Sequence, residues 1–452
     1  MTDFFELTTH ANYIDLQFNN NQNIQTVYQY IIKNSDAFRL IEALLYNGSM
    51  SMEEMVNQLY LSRSTIYRIL PTIRQSLKRQ YRISINTTPL EFVGDESDIR
   101  FFLTQFIAKR YLNETLSLKH FNDKLLQELL IEIGYLLNTE VNYTTMNVII
   151  QRVYTNYLRT KLGYDLLDVP VREDVIDHLL TTSTDAHRLL KDFYNKLQLP
   201  LNRENLINLF SDFILEGYYY SVDEMMNSLG DNPQTQKSYI KLSQLLNELS
   251  NLFNIPLETK DFLIYILHNT IQLYKHEVNS NYILFDRKGI FVEKTRDQFP
   301  KFTEESYKRL GQYLADMGIH DDADFTNHIY YTLVTHWENL SIHLTKVTTR
   351  IRALILSDFD IYHARMMQAN LENSLVHYVD FSVYSNQILD YSFIDPTEFD
   401  LIIANFPLPS TTDTETVTIN TFPSDDDVLR IFNLCHSIAL NKLTSDKNSE
   451  QS

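Results

Sequence analysis

Between Asp36 and Gly94 the chain passes through a helix, a capped helix, a basic helix and a pair of strands, and that order restricts what the segment can fold into. Asp36 to Tyr46 places Phe38, Leu40, Ile41, Leu44 and Leu45 on one helical face and stops at Asn47-Gly48. Ser51-Met-Glu-Glu54 is a capping box. Its serine hydroxyl accepts from the Glu54 backbone N–H while the Glu54 carboxylate reaches back to that of Ser51, so a second helix starts there and buries Met55, Val56 and Leu59. After Tyr60-Leu61, Ser62 caps a third helix that turns Ile66, Ile69 and Leu70 inward and Arg63, Ser64, Thr65, Tyr67 and Arg68 outward. Tyr81 to Ile85 and Leu90 to Gly94 alternate as strands around a polar turn through Asn86 to Pro89. Together these pieces spell a winged helix-turn-helix. Pro71 cannot donate to the Tyr67 carbonyl, so it is expected to kink the third helix or begin a new one, leaving Arg74 and Lys78 to touch phosphates rather than bases.

Charge supports a nucleic-acid role for this segment alone. The chain holds 39 Lys and Arg against 58 Asp and Glu, a net charge of −19, which argues against a protein that coats nucleic acid over its whole surface. Yet Leu61 to Ile85 carries Arg63, Arg68, Arg74, Lys78, Arg79 and Arg82 with no acidic residue. A basic run by itself reads as a solvated face; on the third helix of a helix-turn-helix it reads as a duplex contact. There Arg pairs with guanine, and Ser, Thr or Tyr meets phosphate or a thymine methyl. Arg82, Asn86 and Thr87 would place the wing near the adjacent groove.

At 452 residues, 44% apolar, with 9 Gly and 11 Pro, the chain is expected to be multidomain and mainly α. Met1 to Leu7 lack a basic leader followed by an apolar run, and no stretch reaches the roughly 18 uncharged apolar residues of a membrane span. A cytoplasmic protein with no membrane partner is expected. The single Cys435 excludes an internal disulfide and a cysteine-based zinc site; it reads as a packed thiol, and no cofactor or metal is implied.

The middle of the chain repeats itself. Leu125 to Asn138 resembles Leu245 to Leu257, and the helices that follow, Tyr143 to Leu162 and Glu258 to His276, align at an offset of 116 residues. Leu199 to Ile214 and Ile319 to Val334 form a second pair at an offset of 120. Two all-helical domains of like design follow. Histidine nitrogens are nucleophilic near neutral pH, so His268, His178, His328 and His336 are candidates to accept a phosphoryl group, although a core or surface histidine is the blander reading of each. Arg152 stands opposite His268, so the two copies differ chemically. From Arg350 the period changes: Ala353–Ser357, Val376–Tyr384, Phe399–Phe406 and Thr416–Phe422 read as strands, Ile361–Leu375 and Asp425–Asn441 as helices. A small α/β domain with a mostly parallel sheet is expected, and its first strand-end turn, Ser357 to Asp360, offers neither phosphate-cradling glycines nor a nucleophilic Cys.

With these pieces in order the chain resembles the Mga and AtxA group of virulence regulators from low-GC Gram-positive bacteria. Tyr28 to Leu40 and Leu61-Ser-Arg-Ser-Thr-Ile-Tyr-Arg68 carry the likeness most specifically. The resemblance implies a plan: residues 1–22 as the remnant of an earlier helix-turn-helix or a linker, 23–97 as the DNA-binding winged helix-turn-helix, and 98–230 and 234–346 as phosphotransferase regulatory domains. A small α/β enzyme-IIB-like domain over 349–445 and a disordered tail over 446–452 complete it. It further implies a non-enzymatic transcription regulator, a homodimer on double-stranded promoter DNA, an activator of global or virulence genes, controlled when the phosphocarrier protein of the phosphotransferase system phosphorylates regulatory-domain histidines. Without the Cys, the enzyme-IIB-like end would serve dimerisation or signal docking. A rival reading is a phosphotransferase-linked sensor that acts by protein–protein contact without touching DNA.

Overall fold

The structure is a computed structural model describing residues 5–9, 14–19, 22–111, 120–137, 143–167, 169–181, 185–274, 282–320, 322–347, 350–376, 378–385, 397–408 and 414–449. The chain divides into two compact units. One joins Met1–Leu245, Thr259–Asp297 and Glu304–His336; the other joins Leu246–Glu258, Gln298–Thr303 and Trp337–Ser452.

The first unit opens with β1 (Phe5–Thr9) antiparallel to β2 (Ile14–Phe18), Phe5 opposite Phe18. Then come α1 (Ile24–Asn34), α2 (Asp36–Asn47), β3 (Ser49–Met50), α3 (Met52–Leu59), α4 (Arg63–Tyr81), β4 (Ser84–Thr87) and β5 (Leu90–Val93). The wing is a three-stranded antiparallel sheet in the order β3-β5-β4, with Thr87 opposite Leu90 across the Thr88-Pro89 turn. Contrary to the sequence expectation, Pro71 does not divide the third helix: α4 runs unbroken from Arg63 to Tyr81. The proline is on the exposed side, where the carbonyl that loses its donor can turn to water, which is why it is tolerated there. Gly94 ends the wing at φ +149°, and a Cβ there would lie 2.9 Å from the Ile83 Cγ2 and 3.3 Å from its Cα. Gly94→Ala should therefore destabilise the first unit by about 1–3 kcal/mol, read as a lower urea midpoint at unchanged slope.

Helix α5 (Glu96–Arg110) follows, then α6 (Asp123–Leu136), α7 (Tyr143–Lys161), α8 (Glu173–Thr181), α9 (Asp185–Leu197), α10 (Arg203–Phe210), α11 (Val222–Ser228), α12 (Pro233–Phe253), α13 (Lys260–Tyr274), α14 (Arg287–Gln298), α15 (Pro300–Met317), α16 (Ala323–His336) and α17 (Leu340–Val347). The internal repeat is visible in the packing: α7 lies against α10 in the first copy as α13 lies against α16 in the second. One apolar core runs without a break from Ile32 on α1 through Leu44, Ile66 and Phe102 to Leu126, Phe193 and Tyr220. The winged helix and the first repeat are thus a single packed body. The reason is α5, which buries Ile99, Phe101, Phe102, Leu103, Phe106 and Ile107 around its circumference rather than on one stripe.

In the second unit, β6 (Ile351–Leu356), β7 (Val379–Val383), β8 (Leu401–Ala404) and β9 (Glu415–Thr418) form an all-parallel sheet in the order β7-β6-β8-β9. Ile351, Ala353 and Ile355 point to the face covered by α18 (Ile361–Leu375) and α19 (Asp425–Ser449), while Leu354 and Leu356 join Ile402 and Ala404 on the other. Residues 446–449, expected as part of a disordered tail, continue α19; 450–452 lie outside the described residues. Cys435 is 3% exposed, and burial pushes its thiol up to about 12, as a packed rather than a reactive thiol requires.

The Ser357 turn is more ordered than its sequence suggests. Thr421 O lies 2.9 Å from His363 Nε2, which fixes the tautomer and leaves Nδ1 to accept from the Ser357 hydroxyl at 2.8 Å. Asp427, fully buried, closes the same domain. Burial alone would push its carboxyl up, but the Ser424 backbone N–H, Arg430, the Ser424 hydroxyl and Asn420 pull it well below the usual carboxylate range. Its stabilising contribution is present above the unfolded value of about 3.9 and is lost as pH falls below it. Asp427→Asn should weaken the second unit at pH 7 and flatten the acid limb of its melting curve.

Candidate nucleic-acid interface

The geometry of α3 and α4 follows from their caps. Ser51 and Glu54 form both bonds of the capping box, at 3.2 and 2.7 Å, and Ser62 Oγ accepts from the Thr65 backbone N–H at 3.1 Å. Tyr60, left-handed at φ 56°, makes the sharp turn between the helices. Helix α4 buries Ile66, Leu70, Ile73, Leu77 and Tyr81 in one stripe, against α2, α3 and α5. The opposite face is then set by helical period: Ser64, Arg68, Thr72, Gln75 and Arg79 are exposed, flanked by Arg63, Tyr67 and Lys78. Tyr81 anchors the helix end, its hydroxyl donating to the Tyr282 carbonyl at 2.5 Å.

The eight residues expected to contact DNA separate into three groups. Arg63, Tyr67, Arg68 and Lys78 are exposed. Arg63 pairs with Glu53 at 2.6 Å, but both partners are more than half exposed, so the pair contributes less than about 1 kcal/mol and a phosphate can replace the carboxylate. Ser64 and Thr65 cluster their hydroxyls on Ser62, 2.8 and 2.9 Å away, at the N-terminal end of the same helix. Arg74 and Arg82 turn toward the protein. The Arg74 Nε donates to the Ile85 carbonyl at 2.6 Å, tying α4 to the wing, and Arg82, left-handed at φ 54°, forks onto Asp98 at 2.8 and 3.2 Å. Arg79 joins the exposed face, where its helical offset of 11 from Arg68 places it; the sequence reading noted its charge without giving it a contact.

Behind the wing, Glu96 of α5 holds two buried guanidiniums, Arg100 at 3.0 Å and Arg159 at 2.6 Å. Arg100 also donates to the carbonyls of Asn208 and Tyr164, and Arg159 lies 3.7 Å over the Tyr164 ring. The four histidines considered as phosphoryl acceptors differ in access. His178 and His336 are exposed. His268 is 1% exposed, with Nδ1 2.8 Å from Ser238 Oγ and Nε2 2.9 Å from the Gly217 carbonyl. His328 is buried against Tyr274, and burial together with Lys288 and Arg152 holds its imidazole well below its ordinary value, hence neutral. Arg152, opposite His268 in the repeat, pairs with Asp212 at 3.0 Å. Among the described residues no group of His, Cys, Asp and Glu is placed to hold a metal ion, and no helix is long and apolar enough to cross a membrane.

Residues 20–107 match the Mga helix-turn-helix domain, and residues 123–340 match the M protein trans-acting positive regulator (MGA) PRD domain. The chain belongs to the Mga family of regulators. It is similar to a Streptococcus pneumoniae serotype 4 protein named for trans-acting regulation, 28% identical over 387 residues, which cover 85% of this chain and 78% of that one. As an Mga-family protein the chain is a transcription regulator whose helix-turn-helix is of the DNA-binding kind. The helix-turn-helix match takes in most of α5, the helix that buries itself between wing and repeat, and the PRD match spans both helical copies.

Proposed function

We propose that the protein binds promoter duplex DNA by laying the exposed face of α4 in a major groove, with Arg63, Tyr67, Arg68, Lys78 and Arg79 on bases and backbone. The observation that carries this reading is the acid-free exposed face of α4, capped and held by a continuous core within a protein of net charge −19. Ser64 and Thr65 would meet the backbone at the helix N-terminus, where the helix dipole favours phosphate. Arg74 and Arg82 would act by holding the wing. The decisive experiment is a salt titration of binding to promoter-length duplex: log affinity should fall steeply and linearly with log salt, and absence of binding at low salt would reject the reading.

The same reading makes the protein a cytoplasmic homodimeric activator, with regulatory domains over 98–230 and 234–346 and an enzyme-IIB-like domain over 349–445. A dimer doubles the phosphate contacts and offsets the unfavourable net charge. Phosphorylation by the phosphocarrier protein would fall first on His178 or His336, since a donor protein must reach the ring and His268 and His328 are buried. Mass spectrometry under acid-free conditions, after incubation with the phosphorylated phosphocarrier, should find the modified histidine there; a phosphoryl group on His268 alone would show instead that its helix pair opens.

A further inference from the structure

The winged helix, the first repeat and α13 border a solvent-open cavity of about 620 Å³, within the range of small-molecule sites. Its walls come from Arg82 and α5 on the wing side, from Arg152 on α7, from Asp212 after α10, and from Gln272 on α13. Three guanidiniums, Arg82, Arg100 and Arg152, and three carboxylates, Asp95, Asp98 and Asp212, line it. Arg100 is fixed by Glu96 and two backbone carbonyls and acts as a rigid positive wall. Arg82 and Arg152 face carboxylates instead, Asp98 and Asp212, which also line the cavity.

This arrangement is costly for a purely structural purpose. Replacing a buried ion pair by packed apolar groups is commonly neutral or stabilising; the largely buried Arg152–Asp212 pair borders open space rather than tight packing, while the exposed Arg82 reaches from solvent to a buried Asp98. A guanidinium fork accepts any planar or tetrahedral oxyanion in the geometry it offers a carboxylate. An entering anion can therefore take up guanidinium donors that Asp98 or Asp212 now occupies. Of the two, Asp98 is the more buried, and burial pushes its carboxyl up against the pull of Arg82, whose own side chain is open to solvent and to an arriving anion.

We propose that this cavity is an effector site for a small organic anion bearing phosphate or carboxylate groups, held by Arg82, Arg100 and Arg152. The anion's oxygens displace Asp98 or Asp212 from the guanidiniums, and Ser97, Ser211 and Gln272 are placed in the wall to meet its remaining polar groups. Occupancy reaches the wing directly, because Arg82 is both the left-handed residue that ends α4 and the residue that leads into β4. Drawing Arg82 from Asp98 toward the ligand loosens the tie between the wing and α5.

The test uses the full chain without DNA, so its outcome is independent of the DNA-binding reading. Glucose 6-phosphate and citrate are titrated calorimetrically into the wild type, Arg152→Gln and Leu167→Trp, the last placing bulk at a cavity-lining position that is 83% exposed. Saturable binding of one ligand per chain is expected, weakened at least about tenfold by each variant, with faster hydrogen exchange at the amides of residues 82–93 when the site is filled. Binding of the phosphate ester alone identifies a phosphoryl effector, of citrate alone a polycarboxylate. No saturable binding of either at millimolar concentration, or binding that both variants leave unchanged, overturns the proposal. Should Arg152→Gln lose its cooperative thermal transition, Leu167→Trp alone decides.

Discussion

Replacing Arg63 and Arg68 together by Ala is expected to weaken binding to promoter duplex by about 30-fold to 10⁴-fold while leaving the thermal transition of the protein in place. The range follows from two base or phosphate contacts of about 1–3 kcal/mol each. Folding should be spared because both side chains are exposed and the one ion pair broken, Arg63 with Glu53, is a surface pair. The two positions differ in kind. Arg68 stands mid-face, so Arg68→Ala should relax sequence preference, whereas Arg63 lies at the helix start and its loss should weaken all duplexes alike and reduce the salt slope by about one. Anisotropy titrations on matched and mismatched duplexes at several salt concentrations separate these outcomes. Equal affinity of wild type and double variant would remove α4 from the interface.

The largest effect on stability should come from Glu96→Ala. That single carboxylate compensates Arg100 and Arg159, whose side chains are 5% and 1% exposed, and it joins α5 to α7. Removing one partner of a buried pair costs about 3–5 kcal/mol because a charge is left uncompensated, and here two charges are left. Chemical denaturation should show the first unit unfolding at markedly lower urea, with the transition of the second unit unmoved. Glu96→Gln, which keeps the shape and one acceptor, should recover part of the loss; full recovery would mean the carboxylate's charge is not what matters.

Where local chemistry decides structure, the fold was legible from residues. The Ser51–Glu54 capping box, the Ser62 cap and the 361–375 helix appear where their signals stand. Helix α1 carries legible signals as well, since Asn23 caps it on the Gln25 N–H and Ile24, Val27, Tyr28, Ile31 and Ile32 keep helical spacing. Pro71 was given too much weight, because a proline's cost depends on whether its orphaned carbonyl faces core or water, which periodicity must be extended across the proline to reveal. The fates of Arg74, Arg82 and Arg152 were not legible. Each was correctly read as basic, but a guanidinium is long enough to reach water, phosphate or a carboxylate 16 or 60 residues away, and only tertiary packing selects among them.

The unbroken core from α1 to Tyr220 bears on how this protein can be taken apart. In many regulators a reading head hangs on a tether and can be excised and studied alone. Here a cut after residue 111 would remove α7, which packs on α5 and supplies Arg159 to Glu96, and would bare one side of a helix that is buried around its whole circumference. Such a fragment should aggregate rather than bind DNA, and chimeras that graft a foreign sensor onto this head should fail unless α5 and its seat on α7 travel with it. On the proposed DNA-binding reading, a signal arising in the first repeat would pass to α4 through packed side chains rather than across a flexible tether.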